Sequence, residues 1–225
     1  MWNDLKQLIE NYQSLALEEH VDYEKFSMMS IVWHSTKIEG CSLTETETKV
    51  LLEQNITAGG KPLTDHLMVK DHYDAFLFIK KEAFRKRKFS VEFIQKLNVT
   101  AIIGRVRLEE FCKAVNTRLD EVKGTDITKL AADVHYNFVN IHPFVDGNGR
   151  TARLLMNYVL LYHNQPLLKF FTEDRVAYID ALNETEEKKN SEVFRAFTAE
   201  QYSKFLTLEI DKHQKLKNKR FMMMF

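Results

Sequence analysis

Residues 142–153 read His-Pro-Phe-Val-Asp-Gly-Asn-Gly-Arg-Thr-Ala-Arg, and they predict a turn between two helices. Apolar residues recur at three- and four-residue spacing on both sides of the stretch, and the following helix is expected from about Arg150 to Tyr162. Two glycines flank Asn148, so the backbone there can take left-handed angles and bring its amides close to a ligand. Because a helix start also presents free N–H groups and a positive dipole end, the turn predicts an anion site suited to phosphate.

The polar side chains of this stretch suggest chemistry on a phosphate chain. Arg150, Arg153 and Asn157 lie at i, i+3 and i+7, so one helix face would carry two guanidinium groups and an amide in line. Asp146 is a hard oxygen donor for Mg²⁺ beside that face. His142 is the residue type that accepts a proton near neutral pH. Together these residues predict nucleotidyl or phosphoryl transfer to a hydroxyl.

Each feature alone has an ordinary structural explanation. A histidine before proline is usually structural, Gly-x-Gly is usually a turn, and Arg-x-x-Arg on a helix is usually solvated. Their occurrence within twelve residues favours a functional site. The site is not a P-loop, because no glycine-rich loop ends in Lys-Ser or Lys-Thr.

The rest of the chain predicts an all-α protein. Only 7 glycines and 3 prolines interrupt 225 residues, and the long segments carry helical apolar spacing. We expect one folded unit made of N-terminal helices (1–60), a core (61–211) and a Lys-rich tail (212–225). Helix starts are expected at four places: Thr44 with Glu47 as a capping box, Ser90, Thr125 or Asp126, and Thr172.

Charge and cysteine content argue against several classes of protein. The 32 basic and 32 acidic side chains balance, so nothing attracts the whole chain to nucleic acid or to an anionic membrane. Cys41 and Cys112 lie far apart, which argues against a zinc site or a disulfide framework and fits a reducing cytoplasm. No apolar run reaches the roughly 20 residues that span a bilayer, so a cytoplasmic protein is expected.

The stretch 142–153 resembles the signature of the Fic family, His-x-Phe-x-Asp-Gly-Asn-Gly-Arg-x-x-Arg, with every fixed position filled. The resemblance implies an all-helical Fic fold and transfer of AMP from ATP to a Ser, Thr or Tyr hydroxyl of a target protein. By the motif match, His142 would be the base, Asp146 would hold Mg²⁺ on the α- and β-phosphates, and Arg153 would hold the γ-phosphate. Phe144 would anchor the loop. The remaining motif residues would form the anion site: Gly147, Asn148, Gly149 and Arg150.

A second resemblance lies upstream, where residues 35–40 are similar to the inhibitory Ser/Thr-x-x-x-Glu-Gly/Asn motif of Fic proteins. The motif residues are Ser35, Glu39 and Gly40. Glu39 falls where a helix should end, with Gly40 as a left-handed cap. A carboxylate at the C-terminal end of a helix interacts unfavourably with the helix dipole, at a free-energy cost of about 0.3–1 kcal/mol. The resemblance implies that Glu39 pairs with Arg153, so that this guanidinium cannot bind the γ-phosphate of ATP. The alternative is a structural one, in which Glu39 is an exposed residue at the helix end and Gly40 caps the helix.

The chain departs from the family pattern in one region. Family members usually carry a β-hairpin flap that aligns the target by strand pairing. Here residues 97–104 are followed almost at once by residues 105–108, which leaves little room for a flap. Either the flap is small or absent and the protein docks its target differently, or a segment near Gly104 is omitted. Tyr178 falls where the family often places an adenine-facing aromatic, although a core tyrosine explains it equally well. His135 is expected to pack within the fold.

Two other functional hypotheses stay open. The same site could remove AMP from a modified protein or transfer another nucleotide or phosphate group. Alternatively, the protein could be a catalytically silent regulator that binds nucleotide. The expected partners are a nucleotide and a target protein, self-association is left open, and a nucleic-acid partner is not expected.

Overall fold

The computed structural model describes residues 1–16, 23–98 and 105–222, with side chains to residue 215. The regular elements of these ranges are helices, which confirms the all-α prediction. They are α1 (Trp2–Ser14), α2 (Tyr23–Ile38), α3 (Glu45–Gln54), α4 (Leu63–Phe84), α5 (Val91–Gln95), α6 (Arg105–Leu119), α7 (Thr125–Ile141), α8 (Asn148–Tyr162), α9 (Arg175–Lys188) and α10 (Glu192–Met222), with a 3-10 turn at Thr172–Asp174 before α9.

Helix α8 is the centre of the bundle. It packs against α7 and α4 and also contacts α2. Every residue from 151 to 160 is buried, as expected for a helix that is covered on all sides. Arg153 and Asn157 are the longest polar side chains of this stretch, which also contains Thr151, so their hydrogen-bond partners must come from the surrounding segments.

Helix α2 is held at its start by contacts with both ends of the chain. The Tyr12 hydroxyl on α1 donates to the Tyr23 hydroxyl at 3.1 Å. The Tyr23 hydroxyl in turn donates to Glu209 Oε2 on α10 at 2.5 Å. Burial and the neighbouring Glu209 carboxylate raise the pKa of Tyr23, so it keeps its proton. With its start fixed and α4 along its side, α2 brings its last turn to α8.

Two of the predicted helix starts are confirmed. The Thr44 hydroxyl accepts from the Glu47 N–H, and the Glu47 carboxylate accepts from the Thr44 N–H, as in a capping box. The Ser90 hydroxyl accepts from the Phe93 N–H at 3.1 Å.

The other boundaries need correction. Gly124, with φ +56°, is the N-cap of α7 in place of Thr125 or Asp126. The 3-10 turn at Thr172–Asp174 delays α9 to Arg175, and the Thr172 hydroxyl lies 2.7 Å from Nδ1 of His34 instead of capping a helix. Helix α8 begins two residues earlier than expected, because left-handed Gly147 (φ +77°) precedes it.

Two remaining expectations concern the flap and the membrane. No strand occurs in residues 1–16, 23–98 and 105–222, but the expected position of the flap includes residues 99–104, which lie outside the described residues. None of the helices described combines the length and the apolar character that crossing a membrane requires.

Candidate active site

His142 begins the loop that joins α7 to α8. Its N–H donates to the Phe138 carbonyl at 3.1 Å, and its backbone turns into the left-handed region at φ +48°. This conformation is uncommon for a residue with a side chain, and it ends α7 abruptly. The imidazole is exposed, so the predicted base is accessible to a second molecule.

The loop is closed by a reciprocal pair of hydrogen bonds. The Phe144 N–H donates to Asn148 Oδ1 at 3.0 Å, and Asn148 Nδ2 donates to the Phe144 carbonyl at 2.7 Å. The Phe144 ring is 1% exposed and packs against Phe138, where the sequence predicts a loop anchor. Because the side chain of Asn148 is used to lock the loop, any contact it makes with an anion must come from its backbone.

Asp146 lies at the exposed edge of the site and pairs with the partly buried Arg150. Arg150 Nη2 donates to Asp146 Oδ2 at 3.1 Å, and the Asp146 side chain is 78% exposed. Asn98 Nδ2 donates to the Asp146 carbonyl at 2.7 Å and would crowd a side chain at Gly147. Asn98 was not predicted, since it lies between α5 and residues 99–104, where no periodic pattern indicates its position.

Arg153 is buried and is held by the last turn of α2. It is 3% exposed; Nε donates to Ser35 Oγ at 2.8 Å and Nη2 to the Ser35 carbonyl at 2.9 Å. Nη2 also donates to Glu39 Oε1 at 2.6 Å, which completes an ion pair. A buried guanidinium requires such partners, because its desolvation is costly.

The Glu39 carboxylate lies directly against the first turn of α8. Helix α2 ends at Ile38, and Gly40 is left-handed at φ +95°. A Cβ at Gly149 would overlap with Glu39 Oε1, so only glycine lets the carboxylate approach this closely. The Ile38 carbonyl at the end of α2 accepts from Arg175 Nε at 2.8 Å. A second arginine, distant in sequence, therefore fixes the end of the helix that presents Glu39.

Unpaired donors remain around this carboxylate. Arg153 Nη1 and Arg150 Nε are buried and have no hydrogen-bond partner among the described residues. Nη1 would be 3.2 Å from a Cβ at Gly149, so it faces the glycine turn. Behind the arginines, burial and the charges of Arg153 and Arg150 lower the pKa of His72 well below its usual range. His72 is therefore uncharged near neutral pH and adds no positive charge to the site.

Two predicted nucleotide-binding residues lie in the interior instead. The Asn157 amide donates to the Leu168 carbonyl at 2.8 Å and accepts from the Leu168 N–H at 2.9 Å. The Tyr178 side chain is buried among aromatic rings, with its hydroxyl 3.3 Å from Nε2 of His135. His135 is fully buried and stacks on Phe194, so its structural role is as predicted. Both side chains are used in contacts within the fold, and their nucleotide-binding roles stay predictions.

The fold and the site define a class of helical protein in which a glycine turn between two packed helices forms an anion site. Residues 64–160 match the model of the Fic/DOC family, and the match includes the whole loop and most of α8. Residues 64–160 are therefore similar to a Fic domain, in agreement with the signature motif at residues 142–153. A solved Fic-domain-containing signaling protein from Bacteroides thetaiotaomicron superposes with a TM-score of 0.83 at 26% identity, over 92% of this chain and 96% of that chain.

The chain is also similar to curated proteins of known name. Protein adenylyltransferase fic-1 of Caenorhabditis briggsae is 28% identical over 179 residues, which cover 68% of this chain and 35% of the relative. Protein adenylyltransferase Fic of Nematostella vectensis is 29% identical over 179 residues, which cover 68% of this chain and 42% of the relative. The alignments thus span less than half the length of these two relatives.

The role of Asn157 can be tested directly. Asn157→Ala leaves the buried Leu168 N–H and carbonyl without partners, so we expect a loss of about 2–3 kcal/mol in the free energy of unfolding, measured by urea denaturation. ATP affinity, measured by calorimetry where the variant is folded, should change less than about twofold. The exposed Asn137→Ala is the control. A large loss of ATP affinity in folded Asn157→Ala protein would instead support the predicted nucleotide contact.

Proposed function

We propose that this protein is a protein adenylyltransferase that transfers AMP from ATP to a Ser, Thr or Tyr hydroxyl of a target protein, and that Glu39 holds it inactive. The similarity to a Fic domain and to proteins named adenylyltransferases supports this activity. The observation that carries the proposal is the position of Glu39: a carboxylate lies on Arg153 and against the glycine turn, where the motif implies a phosphate.

Several features support a phosphate in that position. Carboxylate and phosphate oxygens both accept from guanidinium groups in the same forked geometry. The first turn of α8 adds backbone amides and the positive end of the helix dipole. The unpaired Arg153 Nη1 and Arg150 Nε are donors that the present contacts do not use. The oxygens of a triphosphate are numerous enough to accept from these two donors as well, whereas the Glu39 carboxylate leaves both unpaired.

The donor set also fits a magnesium ion held jointly with the nucleotide. No group of three or more His, Cys, Asp or Glu side chains that could hold a metal occurs among the described residues. Asp146 offers one exposed carboxylate next to the anion site. Mg²⁺ commonly binds through one or two carboxylates, waters and substrate phosphates. Asp146 would hold the ion, which when bound neutralises charge on the α- and β-phosphates.

In the proposed reaction His142 accepts the proton of the target hydroxyl. The hydroxyl oxygen then forms a bond to the α-phosphorus, while the bond from that phosphorus to the bridging oxygen of the β-phosphate breaks. Pyrophosphate leaves with the electron pair, and the target carries AMP. The exposed, left-handed position of His142 supports this role because the target must reach the base from solvent.

Autoinhibition follows from competition for Arg153. While Glu39 occupies Nη2, the γ-phosphate cannot take that contact, and the nucleotide is not held in line for attack. Ser35 supports the lock through two further hydrogen bonds to the same guanidinium. Removing the carboxylate leaves a buried cation that an entering phosphate can neutralise.

Glu39→Gly should therefore raise AMP transfer at least about tenfold, because Arg153 becomes available to the γ-phosphate. The measurement is labelling of the protein itself and of lysate proteins from ATP labelled at the α-phosphate. His142→Ala in the Glu39→Gly background should abolish labelling, since no base remains. Glu53→Gly is the matched control, because Glu53 is a similarly exposed, ion-paired glutamate near the end of α3.

Other outcomes distinguish the competing functions. Equal labelling by wild type and Glu39→Gly would remove the inhibitory role of Glu39. Mass spectrometry of products formed with ATP, CTP, GTP and UTP identifies the transferred group, and a pre-modified target tests the removal of AMP. Nucleotide binding without any product in Glu39→Gly protein would favour a silent regulator.

The metal role of Asp146 makes a separate prediction. In Glu39→Gly protein, Asp146→Asn should raise the Mg²⁺ concentration for half-maximal activity about tenfold, because a neutral amide binds Mg²⁺ poorly. Calorimetry should show the same weakening for Mg²⁺-dependent ATP binding and little change without Mg²⁺. Asp126→Asn is the control, since Asp126 is also exposed and paired with a nearby cation on its own helix. Identical Mg²⁺ dependence in both variants would exclude the metal role.

We also propose that the chain self-associates through the start of α4. Leu63 and Leu67 lie one turn apart and are 67% and 50% exposed. Adjacent exposed leucines are typical of interaction surfaces. The double variant Leu63→Glu/Leu67→Glu should sediment as a monomer at concentrations where the parent is larger, whereas Leu77→Glu, further along α4 and 41% exposed, should behave as the parent. A parent that is monomeric at all concentrations would contradict this proposal.

We further propose that residues 1–60, 61–211 and 212–225 act as one unit in the cytoplasm. Packing of α2 on α4 and α8, and of α1 on α10, supports a single unit. Cys41 and Cys112 are both buried free thiols, which supports a reducing compartment. Burial raises the pKa of Cys112 to about 12, so this thiol is unreactive.

A further inference from the structure

A groove with an apolar floor runs between α6 and α7. Buried side chains form the floor: Phe111, Val115, Leu130 and Val134. The two helices are joined by the short connection 120–124 and therefore run in opposite directions. Consequently Arg107, near the start of α6, and Ile141, the last residue of α7, line the same end of the groove.

This end of the groove reaches the last residue of α7, next to the candidate active site along the chain. Ile141 directly precedes His142, the proposed base. Along α7, Val134 and His142 are separated by about 12 Å at the helical rise per residue. An extended peptide covers that distance in about four residues. A polypeptide lying in the groove can therefore place one side chain on the floor and a hydroxyl a few residues away at His142.

The two ends of the groove differ in charge. At the far end Asp133 accepts from Arg118 Nη1 at 2.8 Å and from Arg195 Nη2 at 2.7 Å, so its carboxylate is already neutralised. At the end near His142, Arg107 is exposed and makes no ion pair with any described residue, and Glu110, one turn along α6, is also exposed and lines the groove. An acidic side chain is the complement of this free guanidinium. The exposed Asn137 amide on the rim can bond to a peptide backbone.

We propose that this groove binds an extended segment of the target protein next to the modified hydroxyl. An apolar side chain of the segment contacts the floor of the groove. An acidic side chain of the segment, within about two residues of the modified hydroxyl, pairs with Arg107. This inference rests on the proposed adenylyltransferase function, because it assigns the direction from which the hydroxyl substrate reaches His142. It gives target recognition to α6 and α7 themselves.

The test measures binding separately from transfer. A library of peptides with a fixed central threonine and randomised neighbours is passed over immobilised Glu39→Gly protein, and the retained peptides are sequenced. We expect enrichment of acidic residues beside the threonine and of an apolar residue about four positions away. Arg107→Glu should shift the enrichment from acidic to basic residues. Ala114→Trp should remove the apolar preference, because Ala114 is an exposed groove residue that the indole would fill.

The controls separate this proposal from the proposed function. Thr117→Trp places the same bulk on α6 outside the groove lining and should leave the enrichment unchanged. ATP affinity should change less than about twofold in each variant. No enrichment, or the same enrichment in Arg107→Glu and Ala114→Trp, would overturn the groove assignment. If Glu39→Gly protein enriches these peptides but transfers no AMP to any protein, the groove assignment is supported and the proposed transferase activity is contradicted.

Discussion

The burial of Arg153 in the central helix is the constraint on which the rest of the site depends. A guanidinium that is 3% exposed must be hydrogen-bonded and paired, since an uncompensated buried charge costs several kcal/mol. Ser35 supplies two acceptors and Glu39 supplies the charge. The carboxylate is only partly covered, which leaves it exchangeable, whereas the guanidinium is fixed. The site therefore has a permanent cation and a replaceable anion.

The tertiary packing of α2 determines where that anion lies. Tyr23 and Glu209 hold the start of the helix, and Arg175 caps the Ile38 carbonyl at its end. Glu39 follows the last helical residue, and left-handed Gly40 turns the chain away immediately afterwards. Its side chain can therefore leave Arg153 by rotation, without unpacking α2 from α4. The proposed mechanism needs a fixed helix and a carboxylate that can exchange with phosphate, and Glu39 lies partly exposed at the end of such a helix.

The features that could be predicted from the sequence are those set by local geometry. The Thr44–Glu47 capping box, the Ser90 cap and the left-handed Gly40 depend on residues within one turn of each other. The contacts that could not be predicted join residues that are distant in sequence: Thr172 bonds to His34, and Asn157 holds the Leu168 backbone. The helical period placed Asn157 in line with Arg150 and Arg153, but it carries no information about which face another segment covers. The pairing of Glu39 with Arg153, 114 residues apart, came from the resemblance to the family and not from spacing.

Competition for one guanidinium also determines which nucleotides can relieve the proposed inhibition. A ligand shifts an equilibrium only through contacts that differ between the two states. A nucleotide that places no phosphate on Arg153 makes the same contacts whether Glu39 is bound or released, so it binds without disturbing the lock. A nucleotide whose terminal phosphate reaches Arg153 must displace Glu39, and its affinity is reduced by the free energy of that ion pair. By reciprocity, any partner that draws the end of α2 away from α8 strengthens binding of the triphosphate by the same factor. The Glu39–Arg153 ion pair therefore competes only with the γ-phosphate, which is the phosphate that Arg153 would hold in the proposed reaction.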